Sequence, residues 1–272
     1  MDAPLFGASA LLIALATTIY LAYAPHRPQQ EPFHMARRAR VALFAGAFTS
    51  TFLLLPSVAA AVDRLTGRDG MSAFLFSLAH TLIALSLQLV IVNWTHPTER
   101  IRRAVLGRIC LVCIATVVLA WEFHYTRATS AELASVSPDS SEAATYMLTH
   151  LGFLGAISIA ICLQYAVLAR ATWPHHRVVA VGLAVTALGA AGAVAYAATR
   201  IGAVIAYRAG SAWPPGVEAH IVPAAGALAA FLVTLGLALP AIAQRIMLLS
   251  PGSRPGAGRD VKDRAIRQVA LP

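Results

Sequence analysis

Charge is the scarcest property of this chain of 272 residues, because only 12% of its residues are charged whereas 58% are hydrophobic. A water-soluble domain carries about 25% charged residues. Aromatic residues contribute only 8%, and much of the apolar content is Ala, Leu, Val and Gly. Small and aliphatic side chains in this proportion are typical of helices that pack closely in lipid. The composition excludes a soluble globule and predicts a multi-pass membrane protein.

Lysine and cysteine are also scarce, and each shortage excludes a class of protein. The only lysine, Lys262, lies outside every apolar run, which excludes a retinal Schiff base in a membrane helix. The three cysteines lie inside apolar runs and do not form a disulfide framework. Cys110 and Cys113 have redox spacing, but in an apolar helix a packing role is expected. The motifs of phosphate-binding loops, dinucleotide folds, serine hydrolases and membrane zinc hydrolases are missing.

Seven apolar runs are long enough to cross a hydrocarbon core, which is about 30 Å thick and takes about 20 helical residues. They cover 4–24, 41–62, 72–94, 108–125, 145–169, 178–206 and 221–248. The runs predict an all-α bundle of seven transmembrane helices over residues 1–248, followed by a disordered basic tail over 249–272. On the sixth run, Gly182, Gly189 and Gly192 predict a close-packing face.

The positions of the arginines predict the orientation. Together with Arg108, the connections 25–40, 95–107 and 170–177 and the tail from Arg245 hold 16 of the 21 basic residues, and the opposite side holds 5. Cytoplasmic loops carry the excess of Arg and Lys. The N-terminus is therefore predicted outside, the C-terminus in the cytoplasm, and the protein in the cell (plasma) membrane. The Ser-rich and acidic segment 126–144 is predicted to be a mobile external loop.

The ionisable residues of the apolar runs collect in the predicted outer half. A charge inside a membrane is expensive, so such residues are candidate functional groups. The inner half offers only Gln88 and Gln164, and the hydroxyls of Thr49–Thr51 lie near the middle. This asymmetry predicts a polar cavity that opens outward. The outer set is Asp63, His80, Glu122, His124, His150, Arg200, Glu218 and His220.

Within this set, His80 and Glu122 are the candidate catalytic or titrating pair, because a rise of about 1.5 Å per residue places them at similar depth. They act as a proton relay or acid–base pair, or they form a buried hydrogen-bonded pair that only fixes helix packing. A zinc site is the remaining alternative, since His80, His124, His150 and Glu122 could supply ligands from three helices. No two histidines have the i, i+4 spacing of a helical metal motif, so no metal and no cofactor are predicted. The candidate binding residues are Asp63, His124, His150, Arg200 and Glu218, with the alternatives that several are interfacial and that Arg200 neutralises an outer acid.

A family resemblance covers roughly residues 1–248. The segment from Pro56 to Gly67 precedes a span with His80, Trp94-Thr-His-Pro97 precedes an arginine-rich loop, and Glu122-Phe-His-Tyr125 ends the fourth run. In this order the chain resembles the actinobacterial seven-span integral membrane proteins labelled candidate transporters, which often carry a further cytoplasmic domain. We expect that domain to be missing here. Arg68-Asp69-Gly70 departs from the family's Pro-Asn-type turn. The family has no settled activity, so no catalytic residue is carried over.

Three functions remain open at this point. The leading prediction is an outward-opening protein that binds or transports a small solute, with His80 and Glu122 as the titrating pair and Arg200 as counter-charge. The runner-up is a membrane-embedded enzyme, a cyclase or hydrolase of lipid or isoprenoid substrates, in which Glu122 is the general acid and His80 the base. The third is a sensor or scaffold without turnover. The predicted partners are the lipid bilayer and a small-molecule or lipid ligand, with no nucleic acid.

Overall fold

The computed structural model describes residues 34–96, 98–134 and 140–249, and all regular structure in these ranges is helical. Five of the helices are long and apolar enough to cross a membrane, namely α3, α4, α6, α7 and the first part of α8. This confirms an all-α protein with several helices suited to a membrane. The predicted span 4–24 and the tail 250–272 lie outside the described residues. The helices are α1 His34–Leu53, α2 Pro56–Thr66, α3 Met71–Thr95, α4 Thr98–Tyr125, α5 Ser130–Ala134, α6 Ser141–Thr172, α7 Arg177–Arg208 and α8 Val222–Leu249, with a π-helical turn at Val217–Ile221.

The run 41–62, predicted as one span, is two helices that meet at 95°. Pro56 occupies the first turn of α2, and Leu55 before it is extended, with φ −74° and ψ 121°. A proline disfavours the helical conformation of the residue before it, so α1 ends at Leu53. The run is therefore a sharply bent pair of helices, and its crossing of the membrane as one span stays a prediction. α2 leaves the direction of α1 and buries none of its residues.

Two glycines with positive φ turn the chain from α2 into α3. Gly67 has φ 65° and ends α2, and Gly70 has φ 78° and precedes α3. A Cβ on Gly70 would lie 2.6 Å from the carbonyl oxygen of Ala128, whereas one on Gly67 would meet nothing within 4 Å. Gly70 is thus needed both for its conformation and for the close approach of the segment after α4.

The core lies among α1, α3, α6 and α7, with α1 packed along α3 and α7 packed between α6 and α8. Tyr165 of α6 is fully buried there and donates its hydroxyl hydrogen to the carbonyl of Leu87 on α3, at 3.4 Å. Gly189 faces α8 so closely that a Cβ would lie 2.7 Å from the Val233 nitrogen, and Gly192 faces Ala229. The predicted close-packing face is confirmed at these two glycines.

α4 is peripheral and packs on α3 and α6. Its start, near Thr98, lies ten residues before the apolar run that predicted it. We call the end of the bundle that holds the start of α3, the end of α4 and the start of α6 the cap end.

The segment after α4 is not the mobile loop that its composition predicts. Thr126, Ala128 and Leu133 are buried, and α5 begins at Ser130. After the undescribed residues 135–139, Ser140 caps α6 by accepting a hydrogen bond from the Ala143 nitrogen at 3.1 Å. The prediction of a mobile loop is wrong for 126–134, because this segment supplies side chains that the cap end buries.

Candidate functional site

Two histidines on different helices meet in the part of the bundle next to the cap end. The ring centres of His80 on α3 and His150 on α6 are 5.9 Å apart, and the ring planes are inclined by 61°. The Nδ1 of His80 lies 3.1 Å from the carbonyl oxygen of Phe76. A carbonyl only accepts, so Nδ1 carries the hydrogen and the lone pair is left on Nε2. In His150, Nδ1 is buried and has no hydrogen-bond partner among the described residues.

A second polar contact joins the same two helices one turn nearer to the cap end. The hydroxyl of Tyr146 on α6 donates to Ser77 Oγ on α3 at 2.9 Å, and Ser77 in turn donates to the carbonyl of Ala73 at 3.1 Å. Ser77 precedes His80 by three residues and Tyr146 precedes His150 by four, which are the spacings of one helix face. The interface between α3 and α6 therefore holds two polar contacts about one turn apart, Ser77 with Tyr146 and His80 with His150.

Glu122 approaches the same part of α6 from α4. Its Oε1 accepts a hydrogen bond from the hydroxyl of Thr149 at 2.8 Å, and its Oε2 is buried with no partner among the described residues. On the same stretch of α4, the neighbouring side chains of Trp121 and Tyr125 are exposed. The carboxyl group therefore lies between the bundle and the open side of a peripheral helix.

His80 and Glu122, the pair predicted from the sequence, are close in level but are not bonded to each other. Among the described residues no hydrogen bond or ion pair joins them; their partners on α6 are the consecutive residues His150 and Thr149. The third helix, α6, thus connects the two predicted groups. Neither Thr149 nor Tyr146 was singled out from the sequence. Tyr146 precedes His150 by four residues, and this spacing indicates that the two side chains share one face of the helix.

Arg200 and Glu218 form an ion pair at 2.8 Å between α7 and the π-helical turn. The predicted pairing of Arg200 with one of the acids is confirmed for Glu218, and its position on the outer side stays a prediction. Arg200 is buried, and Trp213 from the same connection packs on Gly202, where a Cβ would lie 2.9 Å from the indole ring. Glu218 is half-buried, and its removal would take the ion-pair partner from the buried Arg200 and destabilise the protein. Its visible role is to hold the connection between α7 and α8 against the bundle.

Asp63 ties three segments of the cap end together. Its Oδ1 accepts from the Ser72 backbone N–H at 2.8 Å, and its Oδ2 accepts from the Ser130 hydroxyl at 2.6 Å. The hydroxyls of Ser72 and Ser130 are themselves 2.6 Å apart. The carboxylate satisfies an otherwise free N–H in the first turn of α3, as a capping residue does. Both oxygens of this predicted binding residue are thus occupied within the protein.

Arg68 completes the cap end from the turn after α2. Its Nη2 donates to the carbonyls of Phe123 at 2.7 Å and His124 at 3.3 Å, and its guanidinium carbon lies 4.3 Å above the Phe123 ring. The side chain of His124 itself is exposed, with its ring 5.2 Å from that of Tyr125. His220 is exposed in the π-helical turn. The predicted outer cluster therefore divides into His80, His150 and Glu122 around α6 and separate structural contacts elsewhere.

Toward the other end of the bundle, buried polar groups continue along α3. Thr81, Ser86 and Gln88 are buried, and the two hydroxyls donate to carbonyls four residues earlier in their own helix. Gln164 Oε1 on α6 is buried without a partner among the described residues. Thr51 and Ser50 bond back to the Ala47 carbonyl. Polar groups thus occur at every level of α3, although most of them are internally satisfied.

The surface of the cap end has a depression of about 550 Å³ that borders none of His80, Glu122 and His150. Within the described part of the chain, no group of three or more His, Cys, Asp and Glu side chains is arranged to hold a metal ion. The residues that line the depression are Tyr125, Arg127, Ala128, Glu132, Ser140 and Glu142.

Comparison with known proteins gives no relative, since no family model, curated protein or solved structure matches this chain.

Proposed function

We propose that this chain is a plasma-membrane protein that binds a small solute between α3, α4 and α6 and transports it with protons. The proposal places the cap end outside, in agreement with the excess of arginines on the opposite side. It places the ligand beside Glu122 and the histidine pair.

One observation carries the proposal: two buried polar atoms on neighbouring helices, Glu122 Oε2 and His150 Nδ1, lack partners among the described residues. An unsatisfied buried polar atom costs about 1–3 kcal/mol. Groups that serve only packing are normally satisfied, as Asp63 is at the cap end. Atoms left with free hydrogen-bonding capacity at one level of the bundle are suited to a ligand or a proton in transit.

Proton uptake into proteoliposomes tests the proposal. The vesicles would contain the full chain and the pH indicator pyranine, and would receive amino acids, nucleosides, monosaccharides and polyamines as separate pools. We expect one pool to acidify the lumen of wild-type vesicles and Glu122→Gln to abolish that signal. Glu142→Gln is the matched control, since Glu142 is exposed in the first turn of α6. Equal signals from wild type and Glu122→Gln, or none from any pool, would refute the proposal.

The second candidate function is a membrane-embedded enzyme that acts on a lipid or isoprenoid. It is favoured by the position of Glu122 on α4 next to Trp121 and Tyr125, whose side chains are exposed to the surroundings. A lipid could reach a carboxyl group there from the side. In this case Glu122 would be the general acid and His80 or His150 the base. Conversion of components of a total lipid extract by wild type but not by Glu122→Gln, with no proton uptake, would select this function.

A further inference from the structure

We propose that one face of α4 is a docking site for an anionic phospholipid, whose phosphate group binds to Arg100 and Arg103 near the start of the helix. The site is separate from the proposed transport and requires only that α4 crosses a membrane, for which the helix is long and apolar enough. Three properties of this face support the site: its exposure, its position relative to the hydrocarbon core, and its charge.

The face is an exposed stripe that runs along the whole of α4. Its members follow one another at intervals of three, four or seven residues, which places them on one side of a helix. In the most apolar part of α4 only 6% of the residues are buried. The buried side is formed by Val105, Val112 and Leu119, which recur every seven residues. The stripe includes Arg100, Arg103, Gly107, Ile114, Trp121 and Tyr125, all of which are exposed.

The length of α4 places the two arginines of the stripe at the level of lipid headgroups. A hydrocarbon core takes about 20 helical residues, so a core that begins at Tyr125 ends near Leu106. At about 1.5 Å per residue, Arg103 lies about 5 Å and Arg100 about 9 Å beyond Leu106. The polar layer on each side of the core is about 5–8 Å thick. The guanidinium groups of both arginines therefore reach the phosphates of that layer.

The start of α4 has an excess of positive charge that the described residues do not neutralise. Residues 98–108 contain four arginines and one acid, Glu99. Among the described residues, neither Arg100 nor Arg103 has an ion pair. A guanidinium group binds phosphate through two parallel hydrogen bonds. This end is predicted to face the cytoplasm, and the cytoplasmic leaflet is the one that carries anionic lipids.

Gly107 separates the charged part of the stripe from its apolar part. A Cβ at this position would meet nothing within 4 Å, so the surface beside the helix backbone is open there. Without a side chain, the helix allows the glycerol group of a lipid to approach closely. An acyl chain that continues from this point lies over Leu111 and Ile114, whose side chains are exposed.

Charge favours a lipid over a second copy of the chain as the occupant of the stripe. In a two-fold symmetric contact within one membrane, each residue of the stripe lies near its own equivalent in the other copy. Arg100 and Arg103 would then meet two further arginines at one end of the interface, where like charges repel. An anionic headgroup at the same place neutralises them.

Quenching of tryptophan fluorescence by brominated lipids measures the preference of the site. The full chain would carry Ile114→Trp as the reporter, which lies at the level of the acyl chains, with Phe in place of its four natural tryptophans. We expect brominated phosphatidylglycerol to bind about tenfold or more tightly than phosphatidylcholine, since each arginine near the surface contributes about a factor of five.

Arg102 provides the matched control because it is exposed on the same turn but is rotated by about 100° from Arg103, off the stripe. Arg103→Gln should lower the preference for phosphatidylglycerol by about fivefold, and Arg102→Gln by less than about twofold. Equal affinity for the two lipids, or equal losses in the two variants, would overturn the site.

Native mass spectrometry of the unaltered chain gives a result that does not depend on the tryptophan substitutions. From an equal mixture of the two lipids, the chain should retain phosphatidylglycerol in preference, and no such preference would overturn the site. Cys110 lies on the stripe and detects the other occupant. With serine at Cys113 and Cys162, efficient disulfide cross-linking of two chains through Cys110 in vesicles would assign the stripe to a second copy and refute the lipid site.

Discussion

Helices α3 and α4 are both long and strongly apolar, yet they occupy opposite positions in the bundle. In the most apolar part of α3, 56% of the residues are buried inside the protein, against 6% in α4. This difference in burial follows the distribution of polar residues between the two helices. α3 buries Ser72, Ser77, Thr81, Ser86 and Gln88, whereas α4 presents Leu111, Ile114, Val117 and Trp121 to its surroundings. In lipid, apolar side chains gain little from leaving the surface, so small and polar side chains mark the interior helix.

The largest expected effect comes from the turn where the start of α3 meets the segment after α4. Gly70→Ala should destabilise the protein by about 3 kcal/mol, because the left-handed conformation costs about 1–3 kcal/mol and the new Cβ lies against the Ala128 carbonyl. Gly67→Ala, with similar φ and open space, should cost only the conformational part. Unfolding by SDS in mixed micelles measures both. Equal losses of stability in the two variants would show that the start of α3 does not meet the segment after α4 as tightly as described.

A matched pair of alanines tests the two helices themselves. Ala84 of α3 is buried in the core, and Ala120 of α4 is exposed. Ala84→Leu should lower the free energy of unfolding by about 1–3 kcal/mol because it overpacks a filled interior, and Ala120→Leu should have almost no effect. Thermal unfolding in detergent, followed by circular dichroism, gives the comparison. A large loss for Ala120→Leu would mean that α4 is covered by protein and not by lipid.

Hydrogen bonds should differ between the helices in the same way. Tyr146→Phe removes the bond to Ser77 on α3 and should cost about 1 kcal/mol. Tyr125→Phe, at the exposed end of α4, should be close to neutral. SDS unfolding of the two variants decides the point. If Tyr125→Phe lowers the stability more than Tyr146→Phe does, the polar contacts between α3 and α6 do not contribute to stability.

The smallest effect on stability is expected for substitution of Trp121. At this site the surroundings of the side chain, measured by its fluorescence, are informative and the free energy of unfolding is not. A variant that keeps Trp121 and replaces the other three tryptophans by Phe should be quenched strongly by lipids brominated in their acyl chains, because the Trp121 side chain is 65% exposed. A variant that keeps only Trp213, which packs on Gly202, should be quenched weakly. Similar quenching at both sites would contradict the contrast between a peripheral and a protected position.

The parts of the fold that the sequence predicts are those set by long apolar runs. Hydropathy over 72–94, 145–169 and 178–206 located three helices to within four residues at each end. The break between α1 and α2 was harder, because Leu53, Leu54 and Leu55 continue the apolar run through it. A proline within such a run is compatible with a kinked crossing helix or with a sharp turn. Hydropathy cannot distinguish the two.

The site was predictable in its residue types but not in its pairing. His80, Glu122 and Arg200 were recognised because ionisable groups in apolar runs are rare. Their partners depend on helix rotation and packing, which no periodicity in nearly uniform apolar helices reveals. Thr149 and Ser130 were missed for this reason: hydroxyls in such segments usually bond to their own backbone, as Thr81 does, and only the tertiary fold shows the exceptions.

The carboxylate of Asp63 also has a consequence for the order of events on the ribosome. Ser130, which binds it, lies 67 residues later in the chain. At about 5–20 residues per second, synthesis places that partner about 3–13 s after Asp63 has been made. During this interval the junction between α2 and α3 lacks the hydrogen bond from Ser130 to Asp63 and, until α4 is complete, those from Arg68 to the carbonyls of Phe123 and His124. The junction is completed only when the segment after α4 returns to it, so truncation before Ser130 should leave it open to proteases.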